Sequence, residues 1–95
     1  MPRIKKSYDT QAPDAPERIL GAIIREKRIA LGLQQADLES ASDLDQGHIS
    51  RIESGKTQIG LRAIVQLAEA LKTTAGELIT EMDRRIGKAS KRPAV

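Results

Sequence analysis

The apolar residues of this chain return every three or four positions and are almost all aliphatic. Leu20, Ile23, Ile24, Ala30 and Leu31 do so in one stretch, and Leu61, Ile64, Val65, Ala68 and Leu71 in another. That spacing lines up side chains on one face of an α-helix. Tyr8 is the sole aromatic residue, and Cys, Phe and Trp are absent. The aromatic residues that enrich strands are therefore missing, and neither a disulfide nor a thiolate metal site can staple the chain. At 95 residues it has the length of one domain, just above the range that needs such staples. An all-α domain follows. With no cysteine, no N-terminal apolar segment and no apolar run long enough for a bilayer, the expected location is the cytoplasm and no membrane contact is implied.

The net charge of +3 is unevenly spread. Residues 1–16 carry +1 and residues 84–95 carry +5, which leaves −3 for the middle of the chain. A basic total suggests a polyanionic partner, yet here the excess sits in the ends. Residues 1–16, with Pro2, Pro13 and Pro16 and few apolar side chains, cannot offset chain entropy by burial and read as a flexible arm. The basic segment 84–95 reads as a loose tail, since no apolar stripe continues beyond Ile86. The ordered domain is then 17–83.

Within it five short helices are predicted. The first begins at Glu17 and stops at Gly32, a common C-terminal stop. Gln35 to Ser42 makes a second, buried through Leu38 and Ala41. Asp45 is a good N-cap for a third ending at Ser54, with Gly55 as its stop. Gly60 to Leu71 makes a fourth, and Thr74-Ala-Gly-Glu77 is a capping box that opens a fifth.

The segments "GLQQADL", "LDQGHISRIESGK" and "LRAIVQLAEALKTTAGELI", in one unbroken register over residues 18–80, resemble the helix-turn-helix domain of phage Cro and lambda-type repressors, the XRE-type family. The resemblance implies a compact five-helix lambda-repressor-like domain whose third helix enters a DNA groove. The residues of that helix support the same reading on their own. Ile49 and Ile52 share one side with Leu44, while Gln46, Gly47, Ser50, Arg51 and Ser54 fall on the other. Gln can pair adenine N6 and N7, Arg can pair guanine O6 and N7, and small neighbours let the backbone come close. A solvated face in some other bundle would carry similar residues, so the register of the whole chain decides. Gln46, Gly47, Ser50 and Arg51 are the candidate base readers.

In the resembling repressors a Gln at the start of helix two bonds a phosphate, a role that falls here on Gln35; the amino end of a helix favours an anion. The family also grips the DNA backbone after helix three, which implicates Ser54, Lys56, Thr57 and Gln58 in sequence-independent affinity. Arg28 and Glu53 stand where the family often forms an ion pair between helices one and three. Two positions depart from the family pattern. Glu39 follows the buried leucine of helix two where a small residue is usual, and its methylenes allow it to bend outward toward a cation. Asp43 replaces the glycine of the tight turn, so it is expected in the left-handed conformation that Asp tolerates.

His48, with Asp45 three residues earlier, has the outline of a small metal or general-base site, but one His without Cys or a third ligand offers no tetrahedral set. It is placed at the rim of the DNA face, with no metal. No nucleophile, phosphate loop or acid pair is evident, so no catalytic residue, no cofactor and no enzyme activity are expected. The expected function is a sequence-specific transcriptional regulator, a repressor or controller, that binds a palindromic operator in double-stranded DNA as a homodimer. Leu78, Ile79 and Met82 either make the dimer contact or close the core. The arm with Arg3, Lys5 and Lys6 either wraps the duplex or is a tail. The alternatives are an antitoxin, whose tail folds on a protein partner, and an adapter that has the fold without reading DNA.

Overall fold

The computed structural model describes residues 15–90, with side chains placed to residue 87. The arm residues Arg3, Lys5, Lys6 and Tyr8, and the tail residues Lys91 to Val95, lie outside the described residues. Five helices follow one another, with no strand among the described residues: α1 Pro16–Ala30, α2 Gln35–Ser40, α3 Gln46–Glu53, α4 Leu61–Ala70 and α5 Ala75–Ser90. The all-α expectation holds. Helix α1 is the hub, packing on both α3 and α5, while α2 packs on α3 and α4 on α5. Every helix contributes to one aliphatic core: Leu20, Ile23 and Ile24 from α1, Leu38 from α2, Ile49 and Ile52 from α3, Ile64, Leu67 and Ala68 from α4, and Leu78 from α5, with Leu71 just beyond α4. Leu78 is fully buried and closes this core; Ile79 and Met82 pack against its edge.

The helix ends explain the short elements. Beyond α1, Gly32 sits at φ +73°; its N–H donates to the Ile29 carbonyl at 2.9 Å and that of Leu33 to Arg28 at 3.0 Å. This pair of bonds satisfies carbonyls that the helix leaves open. The same pair recurs after α3, where Gly55 lies at φ +76° and the N–H groups of Gly55 and Lys56 reach the carbonyls of Ile52 and Arg51 at 3.0 and 2.9 Å. It recurs again after α4 with Lys72 at φ +60°, a conformation in which a β-carbon is disfavoured. At the start of α5, the Thr74 hydroxyl accepts the Glu77 N–H at 3.0 Å. The Glu77 carboxylate accepts the Thr73 hydroxyl at 2.7 Å, and that bond is the main cause of its lowered pKa.

Four local expectations change. Helix α1 starts at Pro16, with Ala15 buried before it, because proline suits the first helical position, where its missing N–H is no loss. Helix α2 ends at Ser40, and Ala41 is exposed. The Ser42 hydroxyl donates to the Leu38 carbonyl at 2.7 Å and accepts the Leu44 N–H at 3.2 Å, drawing the chain out of the helix. Leu61 and Val65 are 77% and 49% exposed, since the buried face of α4 runs through Ala63, Ile64, Leu67 and Ala68. Lastly, α5 continues through Ser90, so residues 84–90 are helical. There Glu81 pairs with Arg84 and Arg85, the favourable order for acid before base along a helix. Arg85 also grips Glu26 of α1 with two nitrogens, at 2.9 and 3.2 Å, and this bond is the leading reason the Glu26 pKa is lowered.

The α1–α3 crossing is the tightest point. A β-carbon on Gly21 would lie 2.1 Å from the Ile52 carbonyl oxygen, and one on Gly55 would lie 2.8 Å from the Arg18 α-carbon. Backbone stands on both sides, so neither contact can relax by a side-chain movement. Gly21→Ala is expected to cost about 3 kcal/mol or more, read by urea unfolding. Lys72→Gly is expected to stabilise the chain by up to about 1 kcal/mol through relief at its left-handed position, read as a raised Tm.

Candidate nucleic-acid interface

Helix α3 has two sides of opposite character. Ile49 and Ile52 are fully buried, and Leu44 packs on the core just ahead of the helix. Gln46, Gly47, Ser50, Arg51 and Ser54 are all exposed. The expected division between an anchoring side and a wet side is therefore present. The Arg51 guanidinium lies about one turn back along the helix, 3.5 Å from where a Gly47 β-carbon would sit. Glycine there leaves the surface low between two long polar side chains.

The amino end of α3 is held by carboxylates. Asp45 accepts the His48 N–H at 2.7 Å and so acts as the expected N-cap. That use draws its carboxylate onto the backbone of His48, whose side chain is half-buried at the margin of the exposed face. Glu39 does reach outward, but to the Gln46 N–H, at 3.3 Å; the partial positive charge of the helix end takes the place of the cation expected from the sequence. Asp43 is also corrected. Among non-glycine residues described, Lys72 alone has a positive φ, so Asp43 is not left-handed. It is clasped by Gln66 of α4, whose amide oxygen accepts the Asp43 N–H at 3.2 Å and whose amide nitrogen donates to the Asp43 carboxylate at 2.9 Å. This clasp fixes the turn without glycine.

Behind α3 lies the Arg28–Glu53 pair. Arg28 Nε donates to Glu53 Oε2 at 2.7 Å and Nη2 to Oε1 at 2.9 Å, with the two side chains 11% and 3% exposed. The fork is completed by Arg28 Nη1, which donates to the Leu33 carbonyl at 2.9 Å. The bond to Glu53 is the main cause of the raised Arg28 pKa, so the guanidinium stays cationic. Gln35, the first residue of α2, is half-buried and donates its amide to Glu53 Oε1 at 3.1 Å.

The loop after α3 leaves Lys56 and Gln58 exposed and Thr57 half-buried. The Ser54 hydroxyl turns back to donate to the Arg51 carbonyl at 3.1 Å. Three contributors escaped sequence reasoning: Gly21, Gln66 and the capping role of Glu39. Gly21 alone had a legible signal, a glycine interrupting an apolar helical stripe.

A family model described as Helix-turn-helix matches residues 24–78. The chain belongs to that family. No curated protein matches it. Among solved structures, the clp gene regulator ClgR from Corynebacterium glutamicum is similar at 21% identity and a TM-score of 0.74, covering 80% of this chain and 81% of its own. The restriction-modification controller protein C.AhdI from Aeromonas hydrophila is 36% identical with a TM-score of 0.64, covering 67% of this chain and 97% of its own. A point mutant of the restriction-modification controller protein C.Esp1396I shares 21% identity and a TM-score of 0.67, over 75% of this chain and 90% of its own. The matched residues fall within the stretch 18–80 that carried the resemblance. Glu53→Ala, which strands the Arg28 guanidinium, is expected to cost about 3–5 kcal/mol in equilibrium unfolding, whereas an effect below about 1 kcal/mol would mean that solvent screens the pair.

Proposed function

We propose that this chain is a sequence-specific transcriptional regulator, a repressor or controller acting in the cytoplasm, that binds a palindromic operator as a homodimer. The carrying observation is α3 itself: Ile49 and Ile52 hold it at full burial while Gln46, Gly47, Ser50 and Arg51 stand exposed. In the major groove Gln46 pairs adenine and Arg51 pairs guanine, and Gly47 and Ser50 admit the backbone close to the base edges. Gln35, Ser54, Lys56, Thr57 and Gln58 contact phosphates and set register, with His48 at the rim. Four carboxylates, Asp37 and Glu39 on α2 and Asp43 and Asp45 in the turn before α3, lie beside this face, so nonspecific affinity is modest and falls steeply with salt.

A twofold arrangement places two α3 helices about 34 Å apart, one turn of DNA. With Leu78 used by the core, the large apolar side chains left exposed among the described residues are Leu61 and Val65 of α4 and Ile29 and Leu31 at the end of α1, and these are the ones available to a second copy. Support for a regulatory role comes from the Helix-turn-helix family match and from the 36% identity to a restriction-modification controller protein. No helix among the described residues is long and apolar enough to cross a membrane.

Selection of bound sequences from random duplex DNA is the deciding experiment. Inverted repeats with half-sites one helical turn apart are expected, with Gln46→Ala and Arg51→Ala each relaxing the preference at a different base position by about 1–3 kcal/mol. Unchanged preference in both variants removes the base-reading assignment, single half-sites remove the homodimer, and no enrichment leaves the adapter reading.

A further inference from the structure

The carboxylate of Glu53 makes more bonds than an ion pair needs, and the extra one reaches the DNA side. We infer that Glu53 is a positioning residue for DNA binding, acting through the side-chain amide of Gln35; this rests on the phosphate contact proposed for Gln35 above. Glu53 lies at the last position of α3 with its side chain 3% exposed. Its Oε1 takes both Arg28 Nη2 at 2.9 Å and Gln35 Nε2 at 3.1 Å. The Arg28 fork is itself immobilised between Glu53 and the Leu33 carbonyl, so the acceptor offered to Gln35 has a fixed position.

A carboxylate can only accept. Its presence decides which end of the Gln35 amide turns inward, because the amide oxygen in that place would face negative charge. The amide nitrogen has two hydrogens; one is given to Glu53, and the second stays on the same fixed nitrogen as a donor. For a phosphate, which accepts only, the orientation of that amide decides between a bond and a repulsion. Without Glu53 the amide turns freely about its last torsion, and its ordering then opposes binding. The link also joins α2 to α3, so the phosphate contact and the base-reading side chains keep one spacing.

The test is a double-mutant cycle on the duplex that the wild-type chain selects from random DNA, at a salt concentration where every variant is folded by circular dichroism. Gln35→Ala is expected to weaken binding about tenfold. Glu53→Gln, which keeps the size but replaces a pure acceptor with an amide that can turn either way, is expected to weaken it by a similar factor when Gln35 is present. In the Gln35→Ala background it is expected to cost clearly less than in the wild type, because the part that runs through Gln35 is already lost and only the part that runs through the Arg28 fork is left. Base preference stays unchanged in Gln35→Ala, since phosphate contacts carry no sequence information. An equal loss from Glu53→Gln in both backgrounds, or no loss from Gln35→Ala, overturns the inference while leaving DNA binding intact. A wild-type chain that selects no DNA removes the parent reading and this one together. Should Glu53→Gln fail to fold, side-chain amide NMR of the free wild-type protein decides. One Gln35 amide hydrogen protected from exchange supports the link, and equal exchange of both overturns it.

Discussion

The close crossing of α1 and α3 is the constraint from which the rest of this molecule follows. A groove-reading helix must be held at a defined angle while exposing one full side, so all of its anchorage comes from behind. Ile49 and Ile52 supply apolar anchorage, which is favourable but non-directional. Direction comes from two features that tolerate little change: the glycines at 21 and 55, where backbone nearly meets backbone, and the Arg28–Glu53 fork, which is planar and bidentate. Burial of the isoleucines brings α3 down onto α1, and the fork sets how it lies there.

The acidic surroundings of α3 have a structural origin. Asp45 and Glu39 are both spent on backbone N–H groups of the helix, and Asp43 is spent on the clasp with Gln66. Each solves a local problem of chain termination or turn geometry. Their combined field nonetheless lies beside the surface proposed to meet a polyanion. In the proposed role, attraction from Lys56 and Arg51 has to exceed that repulsion, so the proposal implies little general affinity for DNA and a comparatively large share of binding in specific contacts.

Much of this was legible beforehand. The helices, the buried isoleucines and the exposed Gln46 and Arg51 follow from spacing alone, because helical periodicity assigns faces whatever the partner helix is. The pairing of Arg28 with Glu53 came from family resemblance and not from spacing, as the two lie 25 residues apart. Other features were illegible for definable reasons. The apolar residues of α4 cover most of its circumference, so the stripe read through Leu61 and Val65 was misphased, and placement against α5 turned both outward. Asp43 looked like a glycine substitute until a side chain from another helix clasped it. The continuation of α5 past its apolar stripe rests on charge pairs with Glu81 and with Glu26 of α1, which a stripe analysis does not weigh.

The amino-acid sequence by itself determined the helical class, the boundaries to within a residue or two in most elements, and which side of α3 is apolar, since these depend on local periodicity and end chemistry. Only the tertiary structure decided how near α3 comes to α1, which turn conformation Asp43 takes and which donor meets Glu53. Those outcomes depend on groups far apart in the chain arriving at one point, and local pattern carries no record of that arrival.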